Sequence, residues 1–234
     1  MNEFSSAFRT ALQLLVEMDP GLFEIVLLSL QVSLSAVMLA GVFALPLGAF
    51  VALTQFPGRR GVVILMNAMM SLPPVVVGLV IYLLLSRTGP LGVTGLLFTP
   101  TAMIIAQCVL VFPIIAALTR QTVFDLHEEY DEYLRSVGAG TWQKIATLLW
   151  DGRVRLLTAI LAGFGRAIGE VGAVIIVGGN ILHSTRVMTT TIALETSKGD
   201  LGMALGLGII LVLIAVGVNT AVVTMGGGAN RRTV

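Results

Sequence analysis

Two side chains that ionise, Arg166 and Glu170, stand in an otherwise apolar stretch, LLTAILAGFGRAIGEVGAVIIVGG. Four residues apart on a helix, they share a face and can pair. Charges within a membrane-spanning run normally face the bundle interior or a hydrophilic path. The pair therefore lines or braces the gate region of a pathway, or is a static ion pair that fixes helix register. A second constellation is Pro73-Pro74 in SLPPVVVGLVIYLLL. Two missing amide donors force the helix to kink or unwind, and irregular backbone at that depth needs protein or a water-filled cavity around it. A half-helix beginning there presents free N–H groups and a positive dipole end, which favours an anion. A plain packing kink is the other reading, and the one given to Pro46 and Pro113.

Other reactive residue types are sparse. His127 and His183 read as isolated surface histidines, and Cys108 as a small buried hydrophobe. There is no G-x-x-x-x-G-K-[ST] phosphate loop, no H-E-x-x-H, no G-x-S-x-G and no Cys/His metal spacing. The chain thus carries no site for ATP and no catalytic centre, and energy for any work it does has to come from a partner.

The elements that must position these residues are apolar. Of 234 residues 56% are hydrophobic and 12% charged, the mean hydropathy is +0.95 and the net charge +1. A soluble domain carries about twice that charged fraction, and no basic face is left for nucleic acid. At about 20 residues per crossing, five spans fit, at roughly 24–54, 61–86, 100–119, 155–182 and 201–225. The runs do not alternate as barrel strands would, so the expected fold is an all-α membrane protein. Gly165, Gly169 and Gly172 on the fourth span, and Gly202, Gly206 and Gly208 on the fifth, form small-residue faces that allow close helix approach. Residues 1–20 read as an interfacial helix or a partly ordered tail; Phe4, Phe8, Ala11, Leu12 and Leu15 share a face opposite Arg9, Gln13 and Glu17. Residues 21–225 are the membrane domain and 226–234 a C-terminal tail.

Lys and Arg set the orientation. Arg59, Arg60, Arg120, Arg135, Lys144, Arg153, Arg155, Arg231 and Arg232 fall on one side, against Arg9, Arg87, Arg186 and Lys198 on the other. The first side is then cytoplasmic, with the N-terminus outside and the C-terminus inside.

The single large polar segment, about 120–154, lies on that cytoplasmic side. In TRQTVFDLHEEYDEYLRSVGAGTWQKIATLLWDGRVR, Asp125 is placed as an N-cap with Glu128 three residues on. Gly138-Ala139-Gly140 supplies a sharp turn. Thr141 caps a second helix whose apolar face holds Trp142, Ile145, Leu148 and Leu149. The expected element, about 125–151, is two short amphipathic helices bent at a glycine. It either merely connects two spans or docks a cytoplasmic partner. On the opposite side, Met188-Thr189-Thr190-Thr191 reads as a solvated, partly inserted loop helix whose hydroxyls can face a capture protein or an arriving anion.

This segment resembles the EAA loop of the membrane subunits of ATP-binding-cassette importers. Glu132 takes the acidic position, Gly138 the glycine six residues on, and Leu148 the later aliphatic position. Tyr133-Leu134 replaces the two alanines, and Trp150-Asp151 replaces Leu-Pro. SLPPVVVGLVIYLLL, DPGLFEIVLLSLQVSLSA, FPGRRG and RAIGEVGAVIIVGGNI are similar to segments of molybdate and tungstate permeases, and TRVMTTTIALETSKGDL to the tungstate branch. The resemblance covers about residues 19–217. It implies a permease of about five transmembrane helices in a prokaryotic inner membrane, working as a homodimer with a cytoplasmic ATPase dimer and an extracytoplasmic oxyanion-binding protein. The ATPase would hold ATP and Mg. The resemblance places Glu132, Tyr133, Leu134, Arg135, Gly138, Ala139 and Leu148 in the ATPase-coupling element. The expected cargo is tungstate, with molybdate or sulfate as alternatives of the same fold. An ion-coupled secondary transporter or a membrane scaffold is the reading from another class; the former usually needs more spans and an inverted repeat.

Overall fold

The computed structural model describes residues 8–9 and 20–230, with side chains described at 8–9 and over 21–220. Its helices are α1 (Pro20–Leu53), α2 (Arg59–Met69), α3 (Pro74–Leu85), α4 (Pro100–Ser136), α5 (Thr141–Asp151), α6 (Arg153–Ile168), α7 (Gly172–Gly178), α8 (Met188–Lys198) and α9 (Leu201–Asn230), with a 3-10 turn at Gly92–Thr94. Among the described residues α1, α4 and α9 are each long and apolar enough to cross a membrane, and the count rises to five if each of two bent pairs is one crossing. The last helix continues past residue 225, into the segment expected to be a tail. Phe8 and Arg9 are helical and exposed; Phe4, Ala11, Leu12, Gln13, Leu15 and Glu17 lie outside the described residues.

The centre of the bundle is the α1–α4 contact, which the sequence writes as a ladder: Ala36, Ala40, Ala44, Gly48 and Ala52 recur every fourth residue and are all buried. An i+4 row of small residues lets two backbones approach closely. A Cβ on Gly48 would stand 2.5 Å from the Ala116 carbonyl oxygen. This seam is absent from the glycine faces expected above. Of those faces Gly172 makes a close approach, 2.9 Å from Val75 Cγ2, while Gly165 and Gly208 have open space around them; further close helix approaches are at Gly48, Gly78 (2.8 Å from Ala173 Cα) and Gly163 (2.8 Å from Val111). The opposite face of α1 is apolar and open, with Met38, Val42 and Phe43 exposed, as a lipid-facing surface would be.

Three local devices set the ends. Thr99 Oγ1 accepts from the Ala102 N–H at 3.4 Å, and Pro100 occupies the first turn of α4, where its missing donor costs nothing. Gly58 takes φ +87° in the α1–α2 turn. Arg59 then reaches back, donating from Nε to Val51 O at 2.8 Å and from Nη2 to Ala52 O at 3.1 Å, so a residue counted for orientation also closes the carbonyl end of α1. Pro46 and Pro113 lie inside continuous helices and end neither.

Gly48→Val should lower the thermal stability of the detergent-solubilised protein by about 1–3 kcal/mol, the usual cost of overpacking. Gly61→Ala, in open space on α2, should be neutral or gain a few tenths of a kcal/mol from helix propensity. Heating each variant and following its monodisperse fraction by gel filtration checks both.

Candidate functional site

Two helix breaks meet inside the bundle. The run expected as one span over 61–86 is α2 and α3, bent by 101° between Met69 and Pro74. The bend is far larger than a proline kink. The carbonyls of Asn67, Ala68 and Met69 are taken by Met70, Ser71 and Leu72 in tight i+3 bonds, and Pro73 O accepts from Val76 and Val77 at 3.0 and 3.2 Å. Pro74 sits in the first turn of α3 with no amide to satisfy. The run expected over 155–182 is α6 and α7, bent by 59°; its Gly-rich GRAIGEVGA hides the stop, because it also fits a packing face. The breaks touch. A Cβ on Gly172 would lie 2.9 Å from Val75 Cγ2, and Gly78 lies against Ala173, so the first turns of α3 and α7 share one contact.

Glu170 stands in the second break, 4% exposed, and pairs with Arg166 as the spacing requires. Its other oxygen accepts the Ala173 N–H at 3.2 Å, so the carboxylate also serves an amide at the start of α7. Its backbone carbonyl accepts the Thr189 hydroxyl at 2.8 Å. From α4, Gln107 Nε2 donates to the Ala167 carbonyl at 3.0 Å, while its buried Oε1 has no partner. The carboxylate is therefore held by α6, α7 and, through its backbone, α8. Gln107 is absent from the sequence reading, and Thr189 reads there only as a solvated hydroxyl. A glutamine amid apolar α4 residues was the available signal for the first.

Thr189 corrects a further expectation. Met188, Thr189, Thr190 and Thr191 are buried, not solvated. Their groups are spent internally: Thr190 Oγ1 donates to Asn180 Oδ1 at 2.9 Å, Thr191 Oγ1 to Val187 O at 2.8 Å, and the Met188 N–H to Ser29 Oγ at 2.8 Å. His183 and His127 are not isolated. His183 Nδ1 lies 2.8 Å from Glu24 Oε2, and His127 Nε2 3.6 Å from Asp131 Oδ1.

The polar segment forms one bent element, assembled differently from expectation. Asp125 caps nothing; α4 runs unbroken from the apolar bundle to Ser136, and Asp125 Oδ1 accepts from Gln121 Nε2 at 2.8 Å. A helix fed by an upstream helix needs no new start. Its end is a left-handed glycine cap: Gly138 has φ +65°, its N–H donates to Arg135 O at 3.0 Å, and the Ala139 N–H donates to Leu134 O at 3.0 Å. Gly140, not Thr141, precedes α5, and its N–H donates to Gln143 Oε1 at 2.8 Å.

The seven expected coupling residues divide by burial. Leu134 and Leu148 are buried in a cluster with Ala49 and Ala52 of α1, Val123 and Leu126 of α4, and Ile145 of α5, and Ala139 packs on it. Glu132, Tyr133, Arg135 and Gly138 are exposed, Arg135 being paired with Asp131 at 2.9 Å. Trp142 is 72% exposed and not on the buried face, although its ring lies 6.3 Å from that of Phe50. Where Trp150-Asp151 stands in place of Leu-Pro, Gly152 makes the turn. A Cβ there would lie 2.7 Å from Leu126 Cδ1, and Arg153 closes over the Trp150 ring at 4.9 Å.

Apolar crossing helices, two of them broken around a buried carboxylate, and a rigid bent element projecting from one end define a multi-pass membrane transport component. The model of the family of binding-protein-dependent transport system inner membrane components matches residues 44–233. The chain belongs to that family. It is 41% identical over 225 residues to the tungstate uptake system permease protein of Peptoclostridium acidaminophilum, covering 96% of this chain and 99% of that one. It is 34% identical to the protein of the same description in Campylobacter jejuni (89% and 87% covered), and 30% identical to the molybdenum transport system permease protein of Escherichia coli K12 (78% and 84%).

Glu170→Ala should cost on the order of 3–5 kcal/mol, because Arg166 loses its partner in a low-dielectric setting. Glu170→Gln, which keeps an acceptor for Ala173, should cost less. Thermal unfolding of the two purified variants in detergent ranks them.

Proposed function

We propose that the chain is the membrane permease subunit of an ATP-binding-cassette importer that carries a tetrahedral oxyanion, with tungstate as the cargo. One observation carries this reading: the near end-to-end match, at 41% identity, to a tungstate uptake permease. Relatives named for molybdenum and for sulfate transport match less well, at 30% and 32% identity. They bound the cargo to the same chemical class.

Two copies form one pathway, each presenting its 125–151 element to a cytoplasmic ATPase subunit that binds ATP and Mg. The exposed side chains Glu132, Tyr133 and Arg135, with Gly138 at the bend, meet the ATPase. Leu134, Ala139 and Leu148 fasten the element to α1 and α4. ATP-driven closure of the ATPases draws the two elements together and opens the pathway to a loaded capture protein outside; hydrolysis resets it. Pro73, Pro74, Arg166 and Glu170 form the gate region, because the two breaks they occupy are in contact and can change their bend together. Within the inner membrane, the excess of Lys and Arg at the 57–61 turn and over 120–155 supports a cytoplasmic position for that end.

The permease, its ATPase and its capture protein reconstituted in vesicles should accumulate tungstate only with ATP inside the compartment that holds the ATPase. Gly138→Val, which strains a left-handed turn, should cut uptake at least tenfold while the bundle still purifies as a stable protein. ATP-independent uptake, or uptake driven by an ion gradient, would refute the reading; preference for molybdate or sulfate would move the cargo within the class.

A further inference from the structure

We propose that the cavity at the end of α3 remote from its proline break receives a tetrahedral oxyanion, with Arg87 as the binding cation. The assignment rests on the oxyanion-import reading above and adds the place where the chain meets its cargo. The cavity measures about 490 Å³, and Tyr82, Ser86, Arg87, Gly95 and Phe98 are among its lining residues. No acidic side chain lines it. Arg87 has no hydrogen-bond or ion-pair partner among the described residues, whereas Lys198 pairs with Glu195, and Arg186, whose Nε is without a partner, donates from Nη2 to the Asn180 carbonyl at 3.5 Å. An arginine fork matches two oxygens of a tetrahedral anion. The Ser86 hydroxyl is spent on the Leu83 carbonyl at 3.0 Å and lies 3.4 Å from Thr88 Oγ1, so the uncommitted donors at the cavity are those of Arg87.

A second cavity argues by contrast. It is about 140 Å³, and its wall holds Glu24, Glu195, His183 and Arg186. Two carboxylates there repel a dianion. The Arg87 cavity is also rigid on one side. Phe98 is held at φ +61°, unusual for an aromatic residue, by its N–H bond to Val177 O at 2.9 Å and by edge contact with Tyr82 at 6.2 Å. Its ring lies against Gly179, just past α7. The site wall is thus fastened to α7, the helix whose first-turn amide at Ala173 is held by Glu170.

Two measurements on the assembled importer in phosphatidylcholine nanodiscs decide the matter. In a Cys108→Ser background, Thr88→Cys is labelled with a negatively charged methanethiosulfonate. Millimolar tungstate should slow labelling about fivefold, chloride at equal ionic strength should not, and Arg87→Gln should abolish the protection. Labelling indifferent to tungstate, or protection that survives Arg87→Gln, overturns the site. Protection by phosphatidylglycerol but not by tungstate overturns it too, assigning Arg87 to a lipid headgroup. In vesicles, Arg87→Gln should reduce uptake about tenfold at limiting capture protein, Arg87→Lys should restore most of it, and Lys198→Gln should have no effect. Equal uptake by wild type and Arg87→Gln overturns the site alone. A wild-type complex that imports no oxyanion refutes the import reading, and the labelling still decides whether Arg87 binds one.

Discussion

A backbone amide or carbonyl inside hydrocarbon has no water to bond, so a break in a membrane helix survives only where other groups take up the freed partners. The two bent pairs of this protein are arranged around that requirement. At the α2–α3 bend, proline removes the donor that would be orphaned, and i+3 bonds use the last carbonyls of α2. At the α6–α7 bend, the Ala167 carbonyl accepts both the Glu170 N–H and Gln107 Nε2, and the Ala173 amide goes to Glu170. Burying Glu170 is costly unless it is paired and hydrogen-bonded, and Arg166 together with that amide supplies both. The ion pair and the break are thus one device, each making the other tolerable.

Mechanical continuity follows from where the remaining buried residues sit. Because α4 passes from the Gln107 contact straight to Ser136, the groups that hold the break and the exposed turn at Gly138 are on a single helix. Leu134, Ile145 and Leu148 lock α5 to that helix and to Ala49 and Ala52 of α1. The alanine and glycine ladder then packs the second half of α1 on α4, with Ala40 and Ala44 clustered with Val111, Ile115 and Ala116 and Gly48 against Ala116. Close-packed groups do not absorb a displacement. Under the proposed coupling role, a pull on the 125–151 element would move α1 and α4 as a body and be taken up at the two bends.

The sequence disclosed the class of fold because chain length, charge-free runs and the Pro73-Pro74 pair are one-dimensional signals. It disclosed the Arg166–Glu170 pair because a four-residue spacing on a helix is local, and Gly138 because a left-handed cap has a residue type of its own. What stayed hidden depends on packing. The second break has no proline; its stop is made by Glu170, Thr189 and Gln107, which are separated by up to 82 residues and meet only in the fold. Thr189–Thr191 read as solvated because hydroxyls suit water as well as they suit buried carbonyls. Asp125 looked like a cap because nothing in the local pattern says that α4 has not yet ended. The α1 ladder was legible in principle, as five small residues at strict spacing, but alanine gives a weaker signal than glycine.

The economy of polar groups bears on how the proposed oxyanion cargo would pass. A conduit must bind its cargo well enough to admit it and weakly enough to release it. Thr185, Thr189, Thr190 and Thr191, with Ser29, are buried donors that could have formed a tight anion cage, yet each is committed to a carbonyl, an amide oxygen or a backbone group of the protein itself. Arg166, the cation nearest the junction, is neutralised by Glu170. The interior therefore offers a dianion little fixed attraction, while Arg87 at the end of the bundle keeps its charge uncompensated. In the proposed importer such a division suits a pathway in which an unpaired arginine draws the anion to the entrance while the committed hydroxyls of the interior do not hold it.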